Sequence, residues 1–120
     1  MAEPLLNATG LRFDSAGASP VDGIDLAIRE GDSVAVMGAN GAGKSLLLRL
    51  LHGLIRPSAG TILWRGRPPG RAAREAQAMV FQRPVLLRRS VRANLRFALA
   101  ARGFAGAERA ARAERALARA

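Results

Sequence analysis

Apolar and polar positions change period several times along the chain, and each change marks an element. LLNATGLRF (5–13) alternates as a strand with a polar kink at its centre. SAGAS and Pro20 form a breaker-rich turn. VDGIDLAI (21–28) alternates imperfectly through Val21, Ile24, Leu26 and Ile28 and predicts a second strand. REGD (29–32) is a tight turn. SVAVM (33–37) is a short apolar run between a turn and a glycine, the pattern of a strand buried on both faces. The period then becomes helical. Leu47, Leu48, Leu50, Leu51, Leu54 and Ile55 predict a helix from Lys44 to about Leu54, weakened at Gly53 and stopped before Pro57.

Shorter elements follow. RPSAG (56–60) is a turn and TILW (61–64) a strand. Residues 65–76 read as a polar loop that ends in a short helix. AMVF (78–81) reads as a strand broken by Gln82-Arg83-Pro84. Ser90 is a suitable N-cap for a helix reaching about Arg102, with Val91, Leu95, Ala98 and Leu99 on one face. GFAG (103–106) interrupts, and a second Ala/Arg/Glu helix runs from Glu108 to Ala120.

Composition narrows the class. Apolar residues make up 49% of the chain, enough for a packed core. LLLRLLHGLI (46–55) falls well short of the ~18 uninterrupted apolar residues of a membrane-spanning helix. MAEPLLNATG has no basic region followed by an apolar stretch, so no secretory signal is expected. There is no cysteine, which removes disulfides and thiolate zinc sites.

The net charge of +10 raises the question of a nucleic-acid partner. Its distribution argues against one. All 19 basic residues except Lys44 are Arg, Ala is also very abundant, and the charges are spread out. Local clusters occur only at Arg65/Arg67/Arg71/Arg74 and Arg88/Arg89/Arg92. A bias toward Arg and Ala accounts for this. The one Lys stands out, because a compact ammonium enters a tight loop that a planar guanidinium fits poorly.

That Lys lies in GANGAGKS (38–45). Gly38-x-x-x-x-Gly43-Lys44-Ser45 fits a phosphate-binding P-loop between a predicted strand and a predicted helix. Glycines let successive N–H groups turn inward, and a helix N-terminus favours an anion. Lys44 would reach the terminal phosphates. The Ser45 hydroxyl would bind the bridging Mg²⁺.

The segment GDSVAVMGANGAGKSLLLRLLHGLIRPSAGTILWRG resembles the ATP-binding cassette (ABC) domain. Its loop spacing GxxGxGKS and the turn PSAGTI are similar to that family's. The resemblance implies an α/β P-loop NTPase fold, here the N-terminal half of an ABC nucleotide-binding domain. It implies that ATP lies along Gly38, Ala39, Asn40, Gly41, Ala42, Gly43, Lys44, Ser45 and Leu46. VFQRPVLLRRSVRANLRFAL (80–99) looks like the Q-loop and the opening of the helical subdomain. By resemblance, Gln82 touches Mg²⁺ or the attacking water, near the contact with a transmembrane subunit. Lys44 and Gln82 are then the catalytic candidates, with Ser45 and Gln82 at the metal. Phe13 stands where the family places an aromatic that stacks on adenine; the competing role is a strand Phe in the core.

The chain departs from the family's pattern too. No apolar strand ending in Asp-Glu follows Gln82, and neither the LSGGQ signature nor the switch His is present. His52 lies in the helix after the loop, where it needs no special role. Glu108 and Glu114 read as a solvated helix face. The resemblance covers about the first half of the family's domain, a truncated or split form. Residues 1–87 would be the catalytic-core portion through the Q-loop, and 88–120 the start of the helical subdomain.

The function implied is that of an ATP-binding subunit of an ABC transporter. FQRPVLLRRSVRANL looks most like bacterial importers of phosphate, molybdate or tungstate. Partners implied are a transmembrane permease and a second ATP-binding subunit, with no nucleic acid. The location implied is cytoplasmic, peripheral on the inner face of the cell membrane. Without the acidic strand and the signature, these residues alone should hold Mg-ATP weakly and turn it over negligibly. The alternatives are a non-transport ABC ATPase in translation or DNA repair, and a nucleotide-binding remnant without catalysis.

Overall fold

The computed structural model describes residues 2–120. The chain divides into two compact units, one running through Met79 and the other Val80–Ala120. The first contains strands β1 (Leu6–Ser15) and β2 (Ala18–Ile28), helix α1 (Lys44–His52), strand β3 (Ala59–Trp64) and helix α2 (Arg71–Glu75). The second contains helices α3 (Val91–Ala101) and α4 (Gly106–Arg119). Residues 80–87, read from the sequence as the end of the first part, cluster with the second unit.

The three strands form one antiparallel sheet in the order β2-β1-β3. The polar kink expected in β1 is a bulge. Ala8 pairs with Leu26 and Leu11 with Ile24, so β1 carries one extra residue between them. Gly10 takes φ +57° there, and its N–H donates to Asp25 Oδ1 at 2.6 Å. The extra residue shifts the period by one. Leu6 and Ala8 therefore share the buried face with Leu11. A compensating shift in β2, between Ile24 and Val21, lies beside Gly23 at φ +68°. The imperfect alternation read in 21–28 is this second bulge.

β3 meets β1 at the first bulge. A Cβ on Gly60 would lie 2.6 Å from the Gly10 carbonyl carbon and 2.7 Å from Leu11 Cα. Only glycine lets the two backbones come this close. The hairpin between β1 and β2 turns on two residues, Ala16 (φ +49°) and Gly17 (φ +79°), the left-handed pair of a type I′ turn. The breaker-rich 15–20 is thus mostly strand: Ala18, Ser19 and Pro20 already belong to β2. REGD is a turn as expected, with Asp32 N–H donating to Arg29 O at 3.1 Å.

The core joins the sheet to α1. Leu11 and Leu50 are fully buried, with Leu6, Ala8, Val21, Leu47 and Leu51 around them. Burying three leucines of α1 contributes about 1.5–3 kcal/mol each. That exceeds the ~1 kcal/mol usually supplied by an N-cap side chain; α1 has no such cap. The helix ends at His52 rather than Leu54. Gly53 at φ +87° donates back to Arg49 O and Leu50 O, a left-handed C-cap.

Two expected strands do not form. SVAVM belongs to no ladder among the described residues, and Val34 (50%), Val36 (37%) and Met37 (88%) are exposed. An apolar run predicts burial on both faces only where strands lie on both sides, and the described residues supply none. AMVF likewise lies outside the named strands, with Val80 exposed.

In the second unit, Ser90 caps α3 as expected, its Oγ accepting from Ala93 N–H at 3.1 Å. Asn94 holds the preceding loop. It accepts from Leu87 N–H at 2.9 Å and donates to the Leu87, Arg89 and Ser90 carbonyls. Ala113 of α4 is buried, and Arg92 pairs with Glu114 at 2.7 Å. Arg112 stacks over Phe104 at 4.0 Å.

Two predictions follow from these contacts. The polypeptide 1–120 should self-associate through the exposed apolar run 33–37, whose backbone joins no ladder among the described residues. Val36→Lys should shift it toward monomer in sedimentation velocity, and an unchanged distribution would count against this run. The hydrogen bond from Arg92 holds the Glu114 carboxyl below its ordinary range. Its contribution is therefore complete above the unfolded carboxylate value of about 4.3. It is lost as pH falls through the lower folded value. Unfolding monitored by circular dichroism should show this acid-side loss, and Glu114→Gln should lack it.

Candidate functional site

Gly38–Gly43 form the loop that leads into α1 at Lys44. Gly41 (φ +82°) and Gly43 (φ +93°) are left-handed, so the spacing of glycines in GANGAGKS follows a backbone requirement. Ala42 N–H donates to Ala39 O at 3.1 Å and closes a turn inside the loop. Gly43 is also the N-cap of α1. No side chain caps that end, and no acid lies in its first turn. The opening N–H groups of a helix are left for another acceptor under these conditions.

Lys44 folds back along the loop. Its Nζ donates to Gly38 O at 2.5 Å and Ala39 O at 2.8 Å. The ammonium is held beside the loop opening by neutral carbonyls, partners that a charged phosphate outcompetes. Ser45 is exposed at the first turn, while Leu46 is half-buried and packs against the core. Ala39, Asn40, Gly41 and Ala42 are exposed along the loop. The structure therefore brings Gly38–Ser45 of the predicted set together as one surface with backbone donors, one ammonium and one hydroxyl, whereas Leu46 turns to the core instead. That surface suits an oxyanion. Ser45 is also an oxygen donor of the kind Mg²⁺ accepts as one of several ligands.

The loop is set against the sheet by Gly43. A Cβ there would run into the Pro20 carbonyl, whose carbon would be 3.1 Å away, and would lie 3.5 Å from Val21 Cγ2. Val21 is the cross-strand partner of Phe13. Phe13 is half-buried and packs against the core cluster on the face of Leu11. Pro20 was not singled out in the sequence. The signal available was a Pro beside a breaker cluster, which read as a turn.

Gln82 lies in a bend of the second unit and is exposed. His52 is half-buried at the end of α1, and its Nδ1 is buried without a hydrogen-bond partner. It is therefore not a fully solvated residue of the helix surface. Glu108 and Glu114 are exposed as expected, but each is paired, with Arg112 and Arg92.

A family model described as ABC transporter matches residues 21–120. The chain belongs to that family. Among ABC relatives, a putative ABC transporter ATP-binding protein of Streptomyces avermitilis is 37% identical over 98% of this chain and 47% of its own length. The cytochrome c biogenesis ATP-binding export protein CcmA of Cupriavidus necator is 54% identical over 54% of this chain and 29% of its own. Of solved structures, cbiO1 from Clostridium perfringens, part of the ABC transporter complex cbiONQ, superposes with a TM-score of 0.81 at 30% identity. It is matched over 98% of this chain and 50% of its own. The chain thus spans about half, or less, of the ABC proteins it matches. The α/β fold is that of the N-terminal half of an ABC nucleotide-binding domain.

The two left-handed glycines should differ on substitution. Gly43→Ala meets both backbone strain and the Pro20 carbonyl, and should cost about 1–3 kcal/mol or more of stability. Gly41→Ala meets open space and should cost only its strain, about 1 kcal/mol. Chemical denaturation compares them; equal losses would remove the role given to Pro20.

Proposed function

We propose that this chain is the nucleotide-gripping part of an ATP-binding subunit of an ABC transporter. The observation that carries the reading is the loop itself. Its left-handed glycines, uncapped helix start and inward-folded Lys44 make a cradle for a polyphosphate. Gly38–Leu46 would hold the ATP phosphates, with Lys44 neutralising their charge. Ser45 and Gln82 would hold Mg²⁺, and Gln82 would orient the attacking water. When bound, Mg-ATP supplies the phosphoryl group whose hydrolysis resets the transporter.

Phe13 stacks on adenine in this reading, supported by its place beside Val21, which borders Gly43. Its packing against the core favours the competing role of a strand Phe. Residues 1–87 act as the catalytic-core portion and 88–120 as the start of the helical subdomain. The partners are a transmembrane permease and a second ATP-binding subunit, without nucleic acid. The location is peripheral, on the cytoplasmic face of the cell membrane. Among the described residues no helix is long and apolar enough to cross one.

The finer reading is an oxyanion importer, carried by FQRPVLLRRSVRANL. The relatives do not single out that solute, since one is named for export in cytochrome c biogenesis. The acidic strand and signature needed for hydrolysis do not occur within these 120 residues. Binding without appreciable turnover is the activity expected of them alone.

Titration calorimetry with Mg-ATP tests this. Lys44→Ala should weaken binding about 10-fold or more, the loss of charge-assisted bonds to phosphate. Equal affinity of the variant and the parent chain would refute the reading.

A further inference from the structure

We propose that Arg12, Asp14 and Ser19 form a clamp that positions the phosphate loop through Pro20. This rests on the phosphate-binding reading above. Arg12 and Asp14 flank Phe13 on β1, so their side chains lie on the sheet face opposite the core. Ser19 comes from β2, across the Ala16–Gly17 turn. Asp14 Oδ1 accepts from Arg12 Nε at 2.9 Å and from Ser19 Oγ at 2.5 Å. Arg12 Nη2 donates to Ser19 Oγ at 3.0 Å, which closes the triangle. Arg12 also approaches Asp22 at 3.7 Å.

The triangle is tied to a third segment. Asp14 N–H donates to Ser58 Oγ at 2.8 Å, and Ser58 N–H donates to Arg12 O at 2.8 Å. The end of the hairpin is thereby fixed to the turn that enters β3. The hydrogen bonds from Ser19 and Arg12 hold the Asp14 carboxyl below its ordinary range.

Ser19 is bonded directly to Pro20. The ring locks the φ of Pro20 and its place in β2 sets its ψ, so the tie on the preceding Ser19 holds the stretch of strand that carries the Pro20 carbonyl. That carbonyl is what Gly43 packs against. Displacing it moves the last glycine of the loop and the opening N–H groups of α1 with it. An isolated exposed ion pair has little such effect. Arg71–Glu75, at 2.7 Å on α2, is such a pair and serves as the control.

The test uses Asp14→Ala, Ser19→Ala, Ser19→Thr and Arg71→Ala in the full chain. Calorimetry follows binding of inorganic tripolyphosphate and of Mg-ATP, with the thermal midpoint recorded alongside. Asp14→Ala and Ser19→Ala should weaken both ligands alike, by roughly 3–10-fold, the range of mutations that act through a contiguous network. Ser19→Thr keeps the hydroxyl and should restore affinity, and Arg71→Ala should leave it unchanged. The clamp is overturned if Asp14→Ala and Ser19→Ala lower the midpoint yet leave both affinities at the parent value. It is also overturned if Ser19→Thr behaves as Ser19→Ala. Lys44-independent binding, or none by the parent chain, would overturn the phosphate-binding reading itself.

Discussion

The packing of Gly43 against the Pro20 carbonyl joins the two halves of the first unit. On one side is a sheet held by strand pairing and a leucine core. On the other is a loop whose backbone donors have to face one way. Any side chain at position 43 would separate them. The contact works because both partners are already fixed. Pro20 sits in β2 opposite the Asp14 region of β1, and Gly43 opens a helix anchored by Leu47, Leu50 and Leu51. The apolar core thus sets where α1 lies, and the glycine sets how near its N-terminus comes to the sheet. A loop in such a position has little freedom to collapse, which suits a surface that must present several N–H groups at once.

Elements whose cause is local could be read from the sequence. The α1 leucines recur at helical spacing, and Ser90 offers a cap whose hydroxyl does accept from Ala93 N–H. The polar kink in 5–13 is the Gly10 bulge, because an interrupted alternation is what an extra strand residue looks like in one dimension. Elements whose cause lies elsewhere in the chain could not be read. SVAVM has strand composition, yet a strand exists only with a partner, and composition does not say whether one is present. Ser19-Pro20 looked like turn material because its pairing to β1 depends on where the two-residue Ala16–Gly17 turn falls. The glycine at position 60 gives no sign by itself that another backbone will pass 2.7 Å from its missing Cβ.

The same division holds for the site. Gly38 to Ser45 was legible because its chemistry and geometry lie in one continuous stretch. Arg12, Asp14 and Ser19 were not, since each is an ordinary surface residue until folding brings the three side chains together. The strongly basic composition was a poor guide throughout. Most of the arginines lie on exposed faces, where pairs such as Arg71–Glu75 and Arg112–Glu108 contribute little. The single lysine carries more information than all of them.

Lys44 also shows why holding a phosphate and transferring one are separable. Its ammonium rests on the carbonyls of Gly38 and Ala39. A phosphate oxygen carries a full charge where those carbonyls carry partial ones, so exchange of partners favours the ligand. That exchange needs only the loop. Phosphoryl transfer needs a positioned water, and charge stabilisation placed where charge develops along the reaction. Of the groups that the family resemblance assigns to the water, this chain carries only Gln82, in a unit distinct from the one that holds the loop. On the proposed reading, grip would be local to the Gly38–Leu46 segment, whereas turnover would depend on residues distributed across several segments.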